Sequence, residues 1–162
     1  MKKQNVFTLF MLGFFILYVS IIMQPREARA DFQNKVAGTY LLTQSDGFLQ
    51  ILTITASGTA FSQNSGQMIP PPFGVQQGAW NRFGNRQVII KTLNFTFDSD
   101  TGVFTGFGRS SFTVEFQPGF NEITGEVLVE IFGPDQNPLD PDATPINTFG
   151  PNTFTGQRVT TD

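Results

Sequence analysis

From residue 35 onward, apolar side chains recur at every second position, in short runs separated by Gly, Pro, Asn and Asp. Period-two alternation puts successive side chains on opposite faces of an extended strand, so each run has one face to bury and one to wet. The clearest case is Gly102 to Phe116. There Phe104, Gly106, Gly108, Ser110, Phe112, Val114 and Phe116 share one side, and Thr105, Arg109, Ser111, Thr113 and Glu115 the other. After the turn signal Gln117-Pro118-Gly119 the pattern resumes through Ile123, Gly125, Val127, Val129 and Ile131, which predicts a hairpin. Asp98-Ser99-Asp100-Thr101-Gly102 joins it to a preceding strand, Gln87 to Phe97, and makes a three-stranded meander. Shorter runs at Lys35 to Thr43, Phe48 to Thr55, Thr59 to Asn64, Val75 to Arg82 and Thr153 to Thr160 bring the count to eight strands. No segment after residue 30 has helical periodicity; the one expected helix is that of an N-terminal signal peptide before the barrel.

Eight strands at this spacing predict an all-β fold, a single antiparallel barrel that is closed or nearly closed. Closure has a physical motive, because open edges on a chain so rich in Phe and β-branched residues invite intermolecular pairing. Fifteen Phe follow residue 30, and burying about ten of them would hold the barrel together without disulfides. Two stretches interrupt the strands. Residues 65–74 contain Pro70-Pro71-Pro72, which cannot donate to a ladder, and residues 133–147 carry four Pro among Asp135, Asp140 and Asp142. Both are expected to be loops over a rim.

The first thirty residues read as an address. Lys2 and Lys3 precede an uncharged stretch from Val6 to Met23, and Ala28-Arg29-Ala30 has the small-x-small form that signal peptidase accepts. The expectation is a cleaved signal peptide over 1–30 and a barrel domain over 31–162. The chain is then exported, secreted or periplasmic; an uncleaved membrane anchor through residues 6–23 is the alternative. Beyond residue 30 the chain has 6 basic and 12 acidic residues. Cations so few and so scattered cannot follow a phosphate backbone, so neither nucleic acid nor an anionic membrane surface is an expected partner of the processed domain.

The chain has no Cys and no His. That excludes thiol nucleophiles, thiolate or imidazole metal sites and serine–histidine triads. No phosphate-cradling glycine loop is present, and neither Asp98 with Asp100 nor the Asp135–Asp142 group has the spacing of a calcium loop. No cofactor, metal ligand or catalytic residue is assigned.

Gly38-Thr39-Tyr40 in the opening strand and Arg158 in the last are similar to the two ends of the lipocalin-like, or calycin-like, pattern: a Gly-x-aromatic early and a basic residue late that packs across it. With Gly78-Ala79-Trp80, Asn94-Phe95-Thr96-Phe97-Asp98 and Phe154-Thr155-Gly156-Gln157-Arg158, the chain resembles exported barrel proteins of that form. In lipocalins the aromatic is usually Trp; here it is Tyr40. Allene oxide cyclase and dirigent barrels have the same strand count and stay open as alternatives. The resemblance implies barrel closure through Tyr40 and Arg158 and an interior that holds a small apolar molecule.

On parity, the residues expected to line that interior are Trp80, Lys91, Phe95, Phe104, Phe112, Val127 and Val129. Gly106, Gly108 and Gly125 leave room among them. Lys91 shares its parity with Ile89, Leu93, Phe95 and Phe97, which would set an ammonium among apolar side chains; a bulge near Lys91-Thr92 would turn it outward. Arg109 is expected to be solvated. The sequence thus points to a barrel that binds a largely apolar ligand without chemistry. The alternatives are a cyclase- or isomerase-type enzyme in which shape does most of the work and Lys91 or an inward carboxylate assists, and a solidly packed envelope or matrix protein acting through its loops.

Overall fold

The structure is a computed structural model that describes residues 29–161, apart from residue 71. The signal-peptide assignment falls almost wholly outside the described residues. Residues 29–36 are helical, with Lys35 Nζ donating to Asp31 at 2.7 Å, one turn away. This corrects the expectation of no helix after residue 30 and of a first strand starting at Lys35. Asp31 to Lys35 lack the alternation of the strands, and an i,i+4 acid–base pair supports helix instead. The chain divides into two compact units after Lys35, and the barrel lies entirely in the second.

Eight strands make up that unit: β1 Gly38–Gln44, β2 Leu49–Ile54, β3 Thr59–Asn64, β4 Gln76–Arg82, β5 Gln87–Phe97, β6 Phe104–Phe116, β7 Glu122–Phe132 and β8 Asn147–Arg158. Each pairs antiparallel with the next, and β1 pairs with β8, so the sheet is a closed up-and-down barrel. Tyr40 stands opposite Arg158 in the closing pair. Arg158 Nη2 donates to the Tyr40 hydroxyl at 2.6 Å, and the guanidinium carbon lies 5.2 Å from the Tyr40 ring centre. The last strand begins six residues earlier than the expected Thr153, at Asn147, and runs through Gly150-Pro151. Pro151 sits where the β7–β8 register shifts, a place where the missing N–H costs no ladder bond.

The up-and-down order sends alternate connections to opposite ends. The turns after β2, β4 and β6 gather at one end, where Tyr40, Phe116 and Ile123 are fully buried and Tyr40 meets Phe116 edge-on at 5.9 Å. The interior of that half is solid with Leu42, Leu52, Ile54, Trp80, Ile90 and Phe112. The connections after β1, β3, β5 and β7 gather at the other end, and they include both Pro-rich loops. That end is open.

Two register features correct the expected interior. On β5 the inward set is Val88, Ile90, Thr92, Asn94 and Thr96, each buried, while Lys91 and Phe95 face solvent. No bulge lies near Lys91; the opposite parity simply faces inward. A bulge does occur between Thr96 and Phe97, opposite Phe104, and it reverses the parity of the strand ends. Phe104 therefore points outward, 39% exposed, and packs with Phe95 and Phe107 on the outer wall. Of the fifteen Phe after residue 30, only Phe32, Phe112, Phe116, Phe132 and Phe154 are buried, fewer than the roughly ten expected.

Candidate functional site

The site is built from a change of side-chain character along the inward parity of successive strands. Toward the closed end the inward residues are apolar. One step toward the open end they become amides and hydroxyls: Leu42 gives way to Gln44, Leu52 to Gln50, Ala60 to Ser62, Ile90 to Thr92 and Phe112 to Ser110, with Gln76 on β4 beside them. Six consecutive strands each contribute one polar group, all of them buried.

These groups satisfy one another, as buried polar atoms must. Gln44 Nε2 donates to Gln50 Oε1 at 2.7 Å. Gln50 Nε2 donates to Ser62 Oγ at 2.6 Å and to Gln76 Oε1 at 3.3 Å. Gln76 Nε2 passes the chain on to Ser110 Oγ at 3.1 Å, while Thr92 Oγ1 donates to Gln76 Oε1 at 3.5 Å. Gln50 and Gln76 are the hubs of this belt, and β7 and β8 complete the circle with apolar Val127 and Val129 and with Phe149.

Above the belt, toward the open end, the barrel is hollow. A cavity of about 620 Å³ has Gln44, Gln50, Gln76 and Ser110 as its floor, with Asn94, Thr96 and Thr105 on one wall. Val127, Val129, Ile131 and Phe149 form the apolar wall opposite, and Phe48, Ile69, Phe73, Phe97 and Ile146 surround the mouth. Ile69, Ile146 and Phe149 are at least half exposed there and give the mouth an oily rim. The β3–β4 loop is tied down beside the mouth: Gly74 N donates to Phe95 O and Phe97 N to Pro72 O, and Phe73 bridges to Thr96.

Comparison of the chain with protein-family models, with curated proteins and with solved structures finds no match. Function must therefore be read from the geometry.

The expected lining residues scatter across that geometry. Val127 and Val129 line the cavity. Trp80 and Phe112 lie in the solid half, where the Trp80 indole donates to Thr55 O at 2.8 Å and Phe112 meets Phe154 edge-on. Lys91, Phe95 and Phe104 are on the outside. The inward glycines make no room either. A Cβ on Gly108 would lie 2.6 Å from Asn94 Oδ1, and one on Gly125 would meet Thr113 O and the Phe154 ring. Their space is already taken. Asn94 itself faces inward and is 7% exposed, so its sequon is out of reach of a glycosylating enzyme.

The residues that sequence reasoning missed are the belt amides. Their signal was present: a polar residue at the same level on the inward parity of six strands. Reading it requires the relative register of all six.

Two ionisable groups stand at the mouth, Asp46 after β1 and Asp98 after β5. Asp46 accepts hydrogen bonds from Asn152 Nδ2 at 2.6 Å and Phe48 N at 3.2 Å. The Asp98 carboxylate accepts from the Thr101 hydroxyl and from the Thr101 and Asp100 amides, and these bonds hold its pKa below the usual carboxylate range. At the closed end, burial pushes the Tyr40 phenol up, against the opposing pull of Arg158. Arg109, expected in solvent, is instead tucked against the outer wall. It bonds Glu130 through Nε and Nη2 at 2.9 and 3.0 Å, donates to Pro138 O at 2.6 Å and lies 4.6 Å over the Phe132 ring. It thereby fixes the β7–β8 loop. Among the described residues there is no grouping of acidic side chains able to hold a metal ion, and no helix long and apolar enough to cross a membrane.

Proposed function

We propose that this chain is an exported binding protein whose barrel holds one small, largely apolar molecule without transforming it. The observation that carries the reading is the hollow half-barrel of about 620 Å³, which falls within the range of sites for drug-sized ligands. An eight-stranded interior is just wide enough to be filled or to hold one ligand, and here each alternative occupies one half. The solid half supplies the stability that the hollow half gives up. The lipocalin-like pattern of Tyr40 and Arg158 supports the same reading, and the leader-like first thirty residues support export.

Binding is favoured over catalysis by the chemistry of the floor. Amides and hydroxyls orient a ligand but do not exchange protons near neutral pH, Lys91 is on the outside, and the carboxylates that line the cavity, Asp46 and Asp98, stand at its mouth and away from the amide floor. The test is fluorescence titration of the full chain with an apolar, environment-sensitive dye, repeated on Val129→Trp, which fills the cavity from its apolar wall. Saturable one-to-one binding lost in the variant, with an unchanged far-UV spectrum, supports the proposal. Equal binding by both proteins would refute it.

A further inference from the structure

We propose that the cavity selects ligands with an uncharged head group able both to donate and to accept hydrogen bonds, seated on the amide belt, and that it rejects carboxylates of the same size and shape. This deepens the reading of the hollow half-barrel as a binding site and rests on it.

The floor specifies the head group. Gln44, Gln50, Gln76 and Ser110 present neutral groups, and each amide or hydroxyl can donate or accept according to how it is turned. A ligand amide, urea or alcohol can enter such a network by exchanging one partner for another. A carboxylate cannot be seated at comparable cost, because among the described residues no Lys or Arg lines the cavity to repay the water it would lose. An ammonium suffers the same loss at the floor, with no buried carboxylate beside it.

The entrance reinforces the choice. The four connections at the open end carry Asp46, Asp98, Asp100, Asp135, Asp140 and Asp142 and not one Lys or Arg. Asp46 and Asp98 are on loops separated by four strands of an eight-stranded circle, so they face each other across the mouth. The hydrogen bonds to Asp98 keep it ionised through the physiological range. Since the opposite end is packed solid, any ligand must pass this rim, and an anion is opposed there by every fixed charge. A cation is drawn to the rim yet gains nothing at the floor. The neutral head group alone meets no penalty at either level, and the apolar body then rests against Val127, Val129, Ile131 and Phe149.

The experiment displaces the apolar dye from the full chain with four probes sharing one ten-carbon chain: decanamide, 1-decanol, decanoate and decylammonium. Near neutral pH and at low salt, decanamide and decanol should displace the dye at least about a hundredfold more effectively than decanoate, with decylammonium between. In Gln76→Leu, which removes the central amide of the belt, the affinity for decanamide relative to that for the dye should fall about tenfold. Decanoate within about threefold of decanamide on the unaltered chain would overturn the selectivity and leave the cavity standing as a binding site. Failure of the dye itself to bind would remove the cavity reading and this inference together.

Discussion

Arg109→Ala is the substitution on which the account of the open end can be tested most sharply. The guanidinium forms two charge-assisted bonds to Glu130 and a third to Pro138 O, and it covers the Phe132 ring. The side chains of Arg109 and Glu130 are only 13% and 16% exposed, so the pair is shielded well beyond an ordinary surface ion pair, which contributes about 0–1 kcal/mol. A bidentate pair at this depth should contribute about 1.5–2 kcal/mol, the Pro138 bond about 1 and the ring contact about 0.5. Because these share one guanidinium they do not add fully, and the expected loss is about 3 kcal/mol. In urea denaturation this appears as a lower midpoint at constant slope, with a fall in Tm of about 10 °C. Hydrogen exchange should accelerate in residues 133–146, which lose their anchor to the wall. A double-mutant cycle with Glu130→Gln should return a coupling of about 1.5 kcal/mol. A total loss below about 0.5 kcal/mol, or strict additivity in the cycle, would show that Arg109 is the solvated side chain its parity suggested.

Lys91→Met should change stability by less than about 0.5 kcal/mol and leave dye binding intact, since the ammonium is in solvent; a marked loss in either measurement would return Lys91 to the interior. Phe112→Ala, in the solid half, should cost about 3–5 kcal/mol in the same denaturation assay. Gly125→Ala should be damaging out of proportion to its size, by more than about 2 kcal/mol, because the new methyl would lie 2.0 Å from Thr113 O on the paired strand and backbone must move. Two groups give stability a pH dependence. The lowered pKa of Asp98 contributes stability that is complete above the ordinary carboxylate range and is lost as pH falls through the folded value. The raised pKa of Tyr40 contributes stability that is complete below the ordinary phenol range and is lost as pH rises through the folded value. In a Tyr18→Phe background, native phenolate absorbance should therefore appear at higher pH than in denaturant, and Asp98→Asn should flatten the acid side of the stability profile.

Much of the fold was legible because strands, turns and closure each leave local marks. β3 and β5 have the boundaries their alternation predicts, the hairpin of β6 and β7 turns at Pro118-Gly119, and the first and last strands pair, with Tyr40 opposite Arg158. The departures also have local causes. The start of β8 lies ahead of its expected first residue Thr153, across a register shift against β7 where alternation breaks, and Phe104 faces outward because of a bulge opposite it that leaves no mark in composition. The candidate site fared worse. Choosing the oilier parity of β5 as its inner face brought Lys91 and Phe95 into a cavity that neither touches.

Strands, their number, their closed or nearly closed arrangement and the acidic character of the two Pro-poor turns and of residues 133–147 are legible along the chain, because alternation, turn residues and charge are properties of neighbours. Which face of β5 looks inward, and where the barrel is empty, is settled when the strands pack. Period two is symmetric between its two faces, and nothing within one strand says which is inside; that is fixed when β4 and β6 pair with it and carry their own register across. The amide belt exists only at that level, as six single residues distant in the chain and brought to one height by the closing of the sheet.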